Sequence, residues 1–307
     1  AENYKILKAA ELVKDEGMAI PILLGNKETI IDLIRQYELE LENVEIIDPK
    51  SSEEDKRRSE FAELLYDKRK RRGVTMNSAN DLMMHRNYFG PMMVETGYAD
   101  AVISGLTRNY PDTIKPALQI IGKREDTRVI SGMYMILTKK GPFFFADTTV
   151  NMNPDEDTLI EITLQAAEKV KEFNITPRIA LLSYSNFGSN KGRIPLLVRN
   201  TVAKLHKNYP DLIVDGDIQG NFALNNEMLK ENFPFSKLVD GPANTLIFPY
   251  LTAGNVAYKL IQEMAGFEAI GPILMGLNKS VHILQLGSSV SEIVNMVAVA
   301  VIDAQKK

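Results

Sequence analysis

Three stretches carry residue types that can do chemistry. The first is SYSNFGSNKG, Ser183 to Gly192, where a strand-like run gives way to a Gly/Ser/Asn loop and then to a helical run. Backbone N–H groups of such a loop can converge on an anion, helped by the positive end of the helix dipole. Lys191 and Arg193 add charge. No Lys-Ser or Lys-Thr pair follows the final Gly, so the stretch is not a P-loop. An ordinary surface turn fits the same residues equally well. The second is VDGDIQG, which places Asp215 and Asp217 at the end of a strand-like run, where ligands of open α/β sheets gather. Two carboxylates can hold a divalent metal. No His lies near them in sequence, so capping or hydrogen bonding is the favoured role. The third is VHILQLGSSVSEIVNM, Val281 to Met296. Ser289 and Glu292 match the S-x-x-E capping box, which explains both residues without catalysis. A nucleophilic Ser needs a base, and the nucleophile-elbow pattern is missing. His85, His206 and His282 match no metal spacing. His85 and His206 read as surface residues and His282 as structural.

The elements that must position these residues alternate between the two periods. YKILKAAELVKDEGMA has helical spacing with a Gly near its end. IPILLG and NVEIID read as short buried strands around the helix KETIIDLIRQYEL, a β-α-β pattern that favours a parallel sheet. SSEEDKRRSEFAELLYDKRKRRG reads as one helix whose closing cations suit its C-terminal dipole. TMNSANDLMMHRNYFGPMMVETG reads as a further single helix, and ADAVISG as a strand. RVISGMYMILTKKGPFFFADTTV predicts two strands joined by a tight Lys-Gly turn. NPDEDTLIEITLQAAEKVKEF predicts a helix with acids in its first turn, PRIALLSYS and LIVDGDIQG predict strands, and a last helix runs from Ser291 to about Gln305.

With 307 residues, the chain is long enough for two α/β domains and a sizeable core. The absence of Cys excludes disulfides, thiolate zinc sites and Cys nucleophiles, and fits a reducing cytoplasm. A net charge of −4 gives no general attraction to nucleic acid or anionic membrane. No apolar run approaches spanning length and no signal-peptide pattern opens the chain.

The phrases ADAVISG, TIKPALQIIG, FADTTVNMNP, PRIALLSYSNFGSNKG, DGDIQG, ANTLIFPYLTAGNVAYKLIQ, AIGPILMGL and SVHILQLGSSVSEIVN follow one another across nearly the whole chain. Together they resemble the phosphate acetyltransferase (phosphotransacetylase) family. The resemblance implies an α/β fold of two α/β domains with a cleft between them, related to the isocitrate/isopropylmalate dehydrogenase-like folds. Residues 1–125 with 274–307 form the first domain and residues 126–273 the second. It also implies a CoA-ester site, homodimers and no metal in this chain. The family usually has a strand before YKILKAA, and here only Ala1, Glu2 and Asn3 precede it. The first strand is therefore expected to be missing and the chain to be cut from a longer protein.

Moving an acetyl group between CoA sulfur and phosphate needs cations for the phosphate, donors for the developing oxyanion and a base for the thiol proton. Catalytic members of the family carry Ser-Arg just before the Gly of the final motif and an Asp five residues after it. This chain has Gln285, Leu286 and Glu292 there, and Lys115 where the family has an Arg before PALQII. Arg69 is the best retained cation. A leucine offers neither charge nor hydrogen bond. A charged contact is worth roughly 1.5–3 kcal/mol, and about each 1.36 kcal/mol is tenfold in rate. No catalytic residues in the full sense are expected, and transfer should be absent or feeble while ligand binding survives.

SVHILQLGSSVSEIVNMVAVAVIDAQ is similar to the C-terminal phosphotransacetylase-like domain of multidomain NADP-dependent malic enzymes. In that branch the domain is regulatory, sensing acetyl-CoA and feeding back on the oxidative decarboxylation of malate. NADP and Mg or Mn would belong to an N-terminal part outside this chain, and no G-x-G-x-x-G motif occurs here. The leading expectation is therefore a cytoplasmic, non-catalytic domain with acetyl-CoA as effector and no cofactor of its own. It would form a homodimer within a larger homo-oligomer, with no nucleic-acid or membrane partner. The alternatives are a working phosphate acyltransferase and a purely structural dimerisation domain. By resemblance, Ser183, Ser185, Asn186, Gly188, Ser189 and Gly192 would surround the ligand, with Asn255, Tyr258 and Lys259 beside them.

Overall fold

The computed structural model describes residues 1–305. The chain divides into two compact units: Ala1–Gly122 joined by the stretch from Leu277 onward, and Lys123–Gly276. The sequence reading put these crossings at residues 125 and 273.

The first unit opens with α1 (Tyr4–Asp15), β1 (Ile22–Leu24), α2 (Lys27–Gln36), β2 (Glu45–Ile47) and α3 (Asp55–Arg69). It continues through α4 (Met76–Met83), α5 (Arg86–Glu95), β3 (Ala101–Ser104) and α6 (Tyr110–Ile120). Asn3 starts α1 because its side chain accepts the Lys5 N–H, and Asn26 does the same for α2 through Thr29. The β-α-β pattern gives a parallel β1–β2 pair, as the spacing predicts. The stretch expected to be one helix after Gly73 is two, broken at Met84 and His85. No Gly or Pro marks the break. The reason is burial: Phe89 to Val94 are buried on every side, so α5 must turn into the core, whereas α4 buries only Ala79 and Met83.

The second unit holds β4 (Ser131–Thr138), β5 (Gly141–Ala146), α7 (Glu156–Glu172), β6 (Ile179–Leu182), α8 (Arg193–Asn208) and β7 (Val214–Ile218). After these come α9 (Gly220–Leu224), α10 (Asn226–Asn232), β8 (Thr245–Ile247), α11 (Leu251–Ala265) and β9 (Glu268–Met275). Its strands form one six-stranded sheet in the order β7-β6-β8-β5-β4-β9. β4 runs antiparallel to both neighbours, and for β5 the two-residue connection permits nothing else. The other pairs are parallel, and their short apolar runs are buried on both faces.

The chain then returns to the first unit with β10 (Ser280–Ile283), which pairs in parallel with β3, and α12 (Val290–Ala304). Val281 of β10 joins Phe61, Leu65, Phe89, Met92 and Ile120 in that unit's main core. Among the described residues, no helix is long and apolar enough to cross a membrane.

Candidate functional site

In the second unit, β6 delivers the chain to the Ser183–Gly192 loop, and adjacent β7 holds the loop down. Ser183 N–H donates to Ile218 O at 2.9 Å and Phe187 N–H to Asp217 O at 2.7 Å. Asp217 is fully buried, and its Oδ1 accepts the Gly188 N–H at 3.1 Å. The Ser189 hydroxyl accepts the Asn186 N–H, and the Ser185 hydroxyl accepts the Asn190 N–H, each at 3.1 Å. Ser185 N–H turns back to Ser183 Oγ, Ser189 N–H to Asn186 O, and Gly192 N–H to Asn190 Oδ1. Arg199 donates to Asn190 O at 3.1 Å and lies 3.8 Å from Asp217 Oδ1. Gly188, at φ +90, allows this packing: a Cβ there would come within 3.1 Å of the Arg199 guanidinium.

In this structure most of the loop's backbone N–H groups are therefore turned inward. Each N–H from Ser185 to Asn190, and that of Gly192, already has an acceptor within the loop or on β7. What the loop offers outward is charge and a helix end. Lys191 and Arg193 are exposed, and α8 begins at Gly192 with no side-chain cap.

The remaining residues expected beside this loop separate. Tyr258 lies in the core, buried and stacked on Tyr134 with ring centroids 3.9 Å apart. Asn255 ties α11 to the chain at Thr148 O, 3.1 Å away. Lys259 is exposed, with its ammonium 5.9 Å from the Tyr258 ring centroid. Sequence reasoning passed over Asp147. Its buried carboxylate accepts the backbone N–H groups of Gly132, Thr149, Val150 and Asn151. It thereby shapes the turn that Asn255 grips. The available signal was an acid ending an apolar strand with Asn four residues on, the spacing by which Asn151 Nδ2 also reaches it. Asp215 is likewise internal, accepting from Ser236 Oγ and Lys237 N–H at 2.8 and 2.9 Å. Among the described residues no cluster of acids and imidazoles could hold a metal ion.

In the first unit, the stretch after β10 forms a tight turn. Leu284 N–H donates to Ser104 O at 2.7 Å, locking β10 to the end of β3. Gln285 O accepts the Ser288 N–H at 3.3 Å and the Ser288 hydroxyl at 3.1 Å. Gly287 supplies the positive φ of +83 that the turn requires. Leu286 sits at its tip, 61% exposed. The capping box is fully formed: Ser289 Oγ accepts the Glu292 N–H at 3.1 Å, and Glu292 Oε2 accepts the Ser289 N–H at 2.7 Å. Ser289 thus caps α12. From the far end of the chain, the Lys5 ammonium on α1 donates to Gly287 O at 2.9 Å and Ser288 O at 3.0 Å.

Arg69 closes α3. Its Nε is buried and has no hydrogen-bond partner among the described residues. Nearby Tyr88 donates its hydroxyl to Gln119 Oε1 at 2.8 Å. Burial pushes the Tyr88 phenol above its ordinary value, and the Arg69 charge opposes that shift. Lys115 lies exposed on α6, four residues before Gln119. The histidines are structural or peripheral. His282 is fully buried with Nε2 2.9 Å from Asp303, half-buried His206 contacts Val214 O, and His85 is exposed.

Two α/β units, the second inserted into the first, with strand ends feeding polar loops, define a class of fold that carries many ligand sites. Residues 1–301 match the family model described as phosphate acetyl/butaryl transferase, and the chain belongs to that family. A phosphate acetyltransferase of Helicobacter pylori is 39% identical over 99% of this chain, and a Clostridium acetobutylicum enzyme of the same name is 35% identical over 99%. An NADP-dependent malic enzyme of Haemophilus influenzae is 36% identical over 100% of the chain. The chain spans 58%, 92% and 40% of the lengths of these three relatives, respectively. A solved phosphotransacetylase from Streptococcus pyogenes superposes with a TM-score of 0.89 at 34% identity, covering 99% of this chain and 92% of that one.

Proposed function

We propose that this chain binds an acyl-CoA and phosphate and moves the acyl group between them. A phosphate oxygen attacks the thioester carbonyl, the carbon–sulfur bond breaks, and the departing sulfur takes a proton to leave CoA thiol and acyl phosphate. The observation that carries this reading is the family match along residues 1–301, joined by relatives that bear the transferase name. Besides Lys115, two cations are offered here to hold the phosphate. Arg69 keeps a buried N–H with no partner among the described residues, and the Lys5 ammonium is anchored on the turn beside Leu286. Mixing the chain with acetyl phosphate and CoA, and following thioester absorbance, tests it. Turnover of at least about 1 per second supports catalysis. A rate at the level of the uncatalysed background sinks it.

A second reading rests on Gln285 and Leu286. An exposed leucine at the tip of the turn gives a migrating phosphate nothing to hold. The chain then acts as a regulatory domain that binds acetyl-CoA without transferring its acyl group. The Haemophilus relative's name makes a malic enzyme the matching parent, with NADP and the divalent metal held outside this chain. Calorimetric binding of acetyl-CoA without turnover is its signature. Regulation also requires acetyl-CoA to favour one of two conformations. In either reading the chain works as a homodimer, which sedimentation tests.

A further inference from the structure

We propose that Lys5 is a positioning residue for the turn Gln285–Ser288 and that it sets the direction of an outward main-chain donor there, the Gly287 N–H. The inference rests on the ligand-binding reading above. Its physical basis is how the peptide planes on either side of Ser288 are clamped. The Gly287 and Ser288 carbonyls both point at the Lys5 ammonium, at 2.9 and 3.0 Å. The N–H groups at the other ends of the same two peptides are also taken, by Gln285 O and by Glu292 Oε2. Each plane is thus fixed at both ends and cannot rotate without breaking a bond.

The preceding peptide is different. Among the described residues the Gly287 N–H has no acceptor, and Gly287 is exposed. With the next two peptides fixed and Gly287 held at φ +83, that N–H keeps one direction. No ion pair joins Lys5 to a carboxylate among the described residues, so its ammonium is held by the two turn carbonyls. Lys5 and Leu286 are linked in consequence. The side chain at the tip supplies no donor, and a main-chain N–H beside an ammonium offers an oxyanion or phosphoryl oxygen a substitute.

The test compares the chain with Lys5→Met, which removes donor and charge, and Lys5→Arg, which keeps both. Acetyl-CoA affinity is read by calorimetry and turn mobility by amide hydrogen exchange at Gly287 and Ser288. Lys5→Met should weaken acetyl-CoA about tenfold, the scale of one lost charged contact, and speed exchange at Ser288. Lys5→Arg should restore both. The proposal is overturned if Lys5→Met binds like the parent, or if Ser288 exchange is unchanged in it. Failure of Lys5→Arg to restore either property overturns it too. Should Lys5→Met not fold, Lys5→Gln, with a neutral donor, must fall between parent and loss on both readouts. If the parent itself binds no acetyl-CoA, the ligand reading falls, and Ser288 exchange alone decides whether Lys5 holds the turn.

Discussion

The Ser183–Gly192 loop and the Gln285–Ser288 turn both follow a strand and precede a long helix, yet they are held in opposite ways. The loop is rich in donors and acceptors, and almost all of them are matched internally through Asp217, Ser185 and Ser189. The turn is poor in side-chain chemistry and is held from outside by Lys5, with an exposed leucine at its tip. A polar sequence is thus no measure of binding capacity. What counts is the donor that remains without an acceptor once the backbone is satisfied. By that measure the turn offers an anion the Gly287 N–H and a cation, while the loop offers only its far end, where α8 starts uncapped between Lys191 and Arg193.

The largest test of this contrast is to give the turn its missing charge. Leu286→Arg adds a guanidinium at an exposed position that tolerates it. If the site binds phosphate at the turn, acetyl transfer in the thioester assay should rise by about ten- to hundredfold, the rate equivalent of one charge-assisted contact. An unchanged rate breaks the contrast and moves the phosphate elsewhere. The next test loosens the loop. Asp217→Ala removes the acceptor of the Gly188 N–H and leaves Arg199 facing an apolar gap. Unfolding in denaturant should lose about 1–3 kcal/mol. A loss of only a few tenths would mean that the loop is held by other contacts.

Much of the frame was legible in the residues. The capping box at Ser289 and Glu292, the β4–β5 hairpin and the parallel β1–β2 pair each follow from local rules, and each stands in the structure. The order of distinctive phrases carried the family. What the sequence hid was who satisfies whom. Nothing near residue 183 announces that Asp217, from the neighbouring strand, will take up the loop's N–H groups. Nothing near residue 285 announces a lysine 282 positions away. These are tertiary pairings, and spacing rules reach only a few residues. Tyr258 illustrates a related point: its helix presents one face to the sheet, and only packing decided that the tyrosine lies on that face.

A smaller effect separates cap from catalyst at the turn. Ser289→Ala should cost about 1 kcal/mol in thermal unfolding, the usual worth of an N-cap side chain. Under the cap-only assignment, acetyl-CoA affinity changes little. A large loss of turnover with unchanged stability would return Ser289 to the reaction.

The finest distinction is between that cap and the one on α7 in the other unit. Asp155 accepts the Thr158 N–H at 2.8 Å and lies 3.5 Å from Arg128. The Thr158 hydroxyl and N–H, with a smaller contribution from Arg128, hold its carboxyl below the ordinary value of 3.8. A carboxyl whose folded value is depressed contributes stability above its unfolded value and loses it as pH falls through the folded one. Because Asp155 is largely exposed, screening keeps that contribution below about 0.5 kcal/mol. Asn caps a helix as well as Asp does. Asp155→Asn should therefore differ from the parent by no more than this at neutral pH, and the difference should vanish once the medium is acid enough to protonate Asp155. Ser289→Ala, which removes a group that does not titrate, should show no such convergence attributable to its hydroxyl. Melting curves of both variants from pH 7 to pH 3 decide it. Parallel behaviour of the two would mean that the α7 cap works without its charge.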